Sequence, residues 1–138
     1  MLGLHTVLVL THIVANLVWI GSIGSVGVLV SAPGDAVARG TLALRVYKRL
    51  STPAFGVAFL AGGTRLLLDP HFYFVTTKFM HAKLLFAIIV IALHHVIGAR
   101  AKHLALGKAT EAGAVPTLTP LLLLAAAATA TFAWLKPF

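Results

Sequence analysis

Lys83 and His12 are the residues on which any chemistry of this chain would turn. Lys83 follows Met80-His81-Ala82 and opens the apolar run 84–93, which His94 and His95 close. Ionisable groups inside such a run are costly and mark a pathway or a site. His12 lies in an earlier apolar run, with Asn16 and Trp19 at i+4 and i+7, one face of a helix. Imidazole ligates metals through either ring nitrogen, and an ammonium group can hold a carboxylate or move a proton. Each residue also has a bland reading. Lys83 at this depth can snorkel to the headgroups, as can Arg65 near the end of the second run. His5, His71 and His103 read as interfacial, and Trp19 as packing.

These residues need a membrane around them. The chain is 59% hydrophobic and 10% charged, whereas a soluble domain carries about 25% charged residues. A bilayer is therefore the natural solvent, with room for one helical bundle over residues 1–138. Crossing takes about 20 apolar residues, and four stretches qualify: 4–30, 51–68, 79–101 and 118–135. Nothing alternates like a barrel strand, so these are helices. The first stretch lacks a positive n-region and exceeds a signal-peptide core, so it reads as a span.

The fold class expected is an all-α integral membrane protein, a four-transmembrane-helix bundle. Arg39, Arg45, Lys48 and Arg49 fall between spans one and two, and Arg100, Lys102 and Lys108 between three and four. Lys78 and Lys136 are the few basic residues on the other side. The positive-inside rule then puts both basic loops in the cytoplasm and both termini outside, in a bacterial-type inner membrane. The net charge of +8 is explained by lipid headgroups, and nucleic acid is not an expected partner.

Face and depth sort the candidates. Lys83 and His94 are eleven residues apart, which returns to within about 20° of the same face but about 16 Å along the axis. Spans one and three run in the same direction. His12 and Lys83 should therefore share the outer half of the bilayer, with His94 nearer the cytoplasm. His81 and His95 form a neighbouring line. Gly21, Gly24 and Gly27, with Ser22 and Ser25, thin one end of the first span, and the run 125–128 is alanine; both suit close helix packing.

Several chemistries are excluded. The chain has no Cys, and its three acidic residues, Asp35, Asp69 and Glu111, lie in or beside loops. That removes thiolate sites, paired-carboxylate catalysis, hard-metal cages and an acid-oriented serine triad. No Gly-x-Gly-x-x-Gly, P-loop or His-Glu-x-x-His occurs. What remains is histidine, lysine and a bound cofactor, an inventory that suits haem.

The order of motifs resembles a known family. Thr11-His12-Ile13-Val14 leading to Val18-Trp19-Ile20-Gly21, then Tyr47-Lys48-Arg49-Leu50 before Thr52-Pro53, then Met80-His81-Ala82-Lys83-Leu84 with His94 and Gly98-x-Arg100, is similar to the HemJ-type protoporphyrinogen oxidases and the related CopD-like membrane proteins. Pro116 before a last apolar helix fits the same pattern. At 22–28 the chain departs from the family, which carries aromatic residues, proline and arginine there. The resemblance implies haem b held by His12 as an axial ligand, with the second ligand open. It implies an essential Lys83 and a further role for His94, beside Asn16 and Trp19 as cofactor contacts. It implies oxidation of protoporphyrinogen IX to protoporphyrin IX, with six electrons and six protons removed. The acceptor would be a quinone or the respiratory chain, and homo-oligomerisation stays open.

Two other functions remain. CopD-like relatives imply copper uptake or tolerance, although Cu(I) favours sulfur ligands and only Met1 and Met80 offer any. A non-catalytic membrane assembly subunit would leave the histidines incidental.

Overall fold

The structure, a computed structural model, describes residues 3–135; Met1, Leu2 and 136–138 lie outside the described residues, and with them the basic anchor expected at Lys136. The described chain is all helical. In order come α1 (Leu4–Ser31), α2 (Ala36–Val46), α3 (Thr52–Leu68), α4 (Phe79–Ala105) and α5 (Val115–Leu135), with wide π-helical turns at Tyr47–Ser51 and Phe72–Thr76. α1, α4 and α5 are each long and apolar enough to cross a membrane.

The basic stretch after α1, expected as a loop, is instead a helix. Asp35 starts it as an N-cap, its carboxylate accepting from the Ala38 N–H at 2.7 Å. The backbone stays helical from α2 through the first π turn into α3. The second segment thus begins at Ala36 rather than residue 51, as one rod about 50 Å long. Helices three and four are also longer than expected, by one turn at the end of α4 and by three residues at the start of α5.

Pro53 accounts for the π turn. It has no N–H to give the Arg49 carbonyl, and its ring pushes that carbonyl away. The Thr52 N–H reaches back five residues to the Tyr47 carbonyl, widening the turn.

α1 is the central helix and packs on all the others. Its buried residues include Ala15, Trp19, Ile23, Val26 and Val30, a stripe at helical spacing. α3 lies mainly on α1, and α4 on α5 and α2. Glycines set the closest approaches. A methyl group on Gly27 would strike Thr119 of α5, one on Gly40 of α2 would strike the backbone of α4, and one on Gly98 of α4 would strike the Tyr47 ring. Small residues matter here because lipid tails are as apolar as the helices, so close van der Waals packing drives association.

The packing is uneven along the bundle. Val26, Val30, Ala43, Ile97, Ala101, Leu104 and Leu122 are fully buried toward the end that carries the basic residues. At the opposite end residues 3–14 have no buried member, and a small cluster of Tyr73, Phe79 and Met80 stands alone.

Gly98→Ala should lower the unfolding free energy in detergent by about 1–3 kcal/mol, the cost of overpacking. Gly21→Ala, where nothing lies within 4 Å of the added carbon, should leave it level or slightly raised. Equal effects at both positions in thermal unfolding would refute this account of the glycines.

Candidate functional site

Two polar clusters lie along the face that α1 presents to α3 and α4. The first surrounds His12. His12 Nδ1 is 2.8 Å from the Ala58 carbonyl of α3. A carbonyl only accepts, so the proton sits on Nδ1 and Nε2 keeps its lone pair. The ring rests on Gly62, where an added carbon would come within 2.7 Å of Cε1. Both contacts fix the imidazole plane. Metal-ligating histidines are commonly oriented this way, with the second nitrogen donating to a carbonyl.

Lys83 of α4 and Arg65 of α3 both lie close enough to His12 to act on it electrostatically. Lys83 is half-buried and makes no hydrogen bond among the described residues. Arg65 does not snorkel as a simple anchor. Its Nη2 donates to the Tyr73 hydroxyl at 2.6 Å and its guanidinium lies 5.7 Å from the centre of that ring. Its Nε is buried with no partner. Lys83 lies one turn into α4 and Arg65 in the last turn of α3, where charged side chains in apolar helices still pair with something.

The second cluster surrounds His94, about 16 Å along α4 from Lys83. The separation of His94 from Lys83 agrees with the sequence. Its partner does not. Trp19, placed by spacing on the face of His12, turns instead to His94 and donates from Nε1 to Nδ1 at 3.1 Å. Indole only donates, so the neutral His94 ring carries its proton on Nε2. That Nε2 is buried without a partner. The rings of Tyr47, Phe55, Trp19 and His95 all lie within 6 Å of the His94 ring, centre to centre. Below them, Ser51 donates to Ser22 at 2.9 Å, and Ser22 to the Trp19 carbonyl at 3.0 Å. The π turn thus presents Tyr47 and Ser51 to this cluster.

Other candidates stay apart. Asn16 donates to the His12 carbonyl one turn back, at 2.7 Å, which leaves its side-chain oxygen as its free acceptor. His5, His71, His81, His95 and His103 are exposed. Among the described residues no three His, Asp or Glu side chains gather as a metal site would require. Spacing missed Arg65, Tyr73 and the Ala58 carbonyl. An arginine within an apolar run was the same anomaly as Lys83, and the Gly62-Gly63 pair before it marked the close approach of His12.

Comparison with family models, curated proteins and solved structures returned no match.

The Trp19–His94 bond should be measurable as a coupling. A double-mutant cycle of Trp19→Phe and His94→Leu should give about 0.6–1.7 kcal/mol, the range for hydrogen bonds between membrane helices. Additive losses in unfolding would mean that the bond contributes nothing.

Proposed function

We propose that this chain is a four-span inner-membrane protein that binds haem b through His12 and oxidises protoporphyrinogen IX. The observation that carries this reading is the imidazole of His12. The Ala58 carbonyl holds its proton on Nδ1, and Lys83 and Arg65 stand nearby. A fixed lone pair suits an axial ligand, and adjacent cations suit the carboxylates of a tetrapyrrole.

The four crossings would be α1, the apolar part of the α2–α3 rod, α4 and α5. α3 with the π turn before it covers about 30 Å, enough for the hydrocarbon core. Arg39, Arg45, Lys48 and Arg49 and the basic residues at the end of α4 share one end of the bundle, where Arg39 donates to the Thr110 carbonyl. By the positive-inside rule that end is cytoplasmic and both termini are outside.

Haem bound there would supply the electron transfer. The chain's own residues hold and orient. His12 would hold the haem, with the second ligand open, and Lys83 would secure a substrate carboxylate or carry a proton away from the ring being oxidised. Asn16 lies one turn from His12 and offers its side-chain oxygen. Trp19 and His94, both buried, close the far end. The electron acceptor, a quinone or the respiratory chain, lies outside the chain. A copper role would want a converging ligand set, which the histidines do not form among the described residues.

The purified protein should show a Soret band that shifts on reduction, and His12→Ala should abolish it. Lys83→Met should keep the band but slow porphyrinogen oxidation about 100-fold or more, the low end for a lost proton relay. A colourless protein, or oxidation unaffected by His12→Ala, would remove the reading. The absence of Cys makes topology simple to test. Cysteines at Lys108 and His71 should label from opposite sides of the membrane; labelling from the same side would refute the four-span arrangement.

A further inference from the structure

Among the described residues no carboxylate forms an ion pair with Arg65 or Lys83. Their sequence neighbours Leu66 and Leu84 pack on one cluster of Tyr73, Phe79 and Met80, which brings the two cations to the same end of the bundle, where like charges in a poorly polarisable surrounding repel strongly. None of the three acidic residues of the chain relieves them. Asp35 caps α2, Glu111 lies in the loop at the basic end, and Asp69 accepts the Phe72 N–H. Lys83 has no hydrogen-bond partner among the described residues, and the Arg65 Nε is buried and unpartnered. A buried donor such as the Arg65 Nε is rare unless something absent from the bare chain completes it.

The arginine is also held ready. Tyr73 fixes one guanidinium nitrogen through its hydroxyl. Tyr73 itself is buried against Phe79 and Met80, with Leu66 and Leu84 packed on them. The fork is thereby fixed while part of its donor set stays unused, the arrangement used to grip a carboxylate or phosphate.

The location selects the kind of anion. Arg65 is on α3 and Lys83 on α4, and these helices make almost no close backbone approach to each other. The seam between them is bridged by side chains farther along, where Phe55 meets His94 and His95. Phe59, next to Phe55, is 61% exposed. A seam bounded by apolar rings at one end and cations at the other, within the apolar length of the helices, fits a molecule with a charged head and an apolar body.

We propose that Arg65 and Lys83, steadied by Tyr73, hold the anionic headgroup of an amphiphile, a carboxylate or a phosphate, whose apolar body lies along the seam between α3 and α4. The body would extend up to about 16 Å, the distance along α4 from Lys83 to His94. Entry is sideways from the lipid, where α3 and α4 make almost no close backbone approach. No metal takes part, so the site stands whether or not His12 binds haem. If it does, the same cations would receive the carboxylates of the tetrapyrrole.

The test uses the full chain in nanodiscs of phosphatidylcholine, which has no net charge, with three added probes. They are palmitate, dipalmitoyl phosphatidate and the uncharged methyl palmitate, and binding is followed by native mass spectrometry. At least one charged probe should bind about tenfold or more tighter than methyl palmitate, as expected when an ion gains charge-assisted hydrogen bonds. Preference for palmitate identifies a carboxylate ligand, and preference for phosphatidate a phospholipid headgroup. Arg65→Gln and Lys83→Met should each erase most of the preference. Arg65→Lys and Lys83→Arg should retain much of it, and Arg45→Gln at the basic end should leave it intact. Equal binding of charged and uncharged probes by the unaltered protein would overturn the proposal. So would a preference that survives both charge-removing variants.

Discussion

Inside a bilayer no water is available to satisfy a stranded polar group, and that constraint governs this structure. The backbone meets it by being helical nearly throughout. The polar side chains meet it by pairing across helices or with carbonyls of their own. Ser51 reaches Ser22, Trp19 reaches His94, and His12 reaches the carbonyl of Ala58. Thr119, Thr129 and Thr131 fold back onto carbonyls one turn earlier. Against that background the exceptions stand out. The Arg39 Nε, Arg65 Nε and His94 Nε2 are buried without partners, the last two in the clusters along the face that α1 presents to α3 and α4.

The packing explains why that face can hold something. At the basic end, helices meet at glycines and alanines and the interior is filled by Val26, Val30, Ile97, Leu104 and Leu122. Arg39 and Arg100 bind loop carbonyls there, at Thr110 and Glu111. At the opposite end α3 leans on α1, while α4 pairs with α5. The helices are thus clamped at the basic end, while at the other α3 and α4 are joined through the Tyr73, Phe79 and Met80 cluster rather than by backbone approach. Arg65 and Lys83 sit beside that cluster, and the rings around His94 bridge the seam farther along.

Much of this was legible in the sequence because helices convert residue counts into angles and heights. Counting alone put Lys83 and His94 about 16 Å apart along one helix, and the unbroken helix Phe79–Ala105 keeps them so. Side-chain reach was less legible. Trp19 shares a helical face with His12, yet its large indole crosses to another helix, and no spacing rule within α1 encodes that partner. Tyr73 lies in a turn between helices, where periodicity carries no information, so the grip on Arg65 could not be read. The helix at Ala36–Val46 was hidden by its charges, which resemble those of a cytoplasmic loop. Asp35 as its cap and Pro53 as the cause of the π turn were nevertheless visible as residue types.

The fixed seat of the His12 ring also limits how the chain can vary in length. One residue added to an α-helix turns everything beyond it by about 100° and shifts it about 1.5 Å. An insertion between Ser51 and Ala58 would swing the Ala58 carbonyl, Gly62 and Arg65 away from α1 together. The π turn has already absorbed one such offset, because Thr52 bonds to Tyr47 over five residues rather than four. The short connection after α1 and the loop between α4 and α5 carry no such register. Over long divergence, gains and losses of residues are tolerable in those two connections and damaging within the rod.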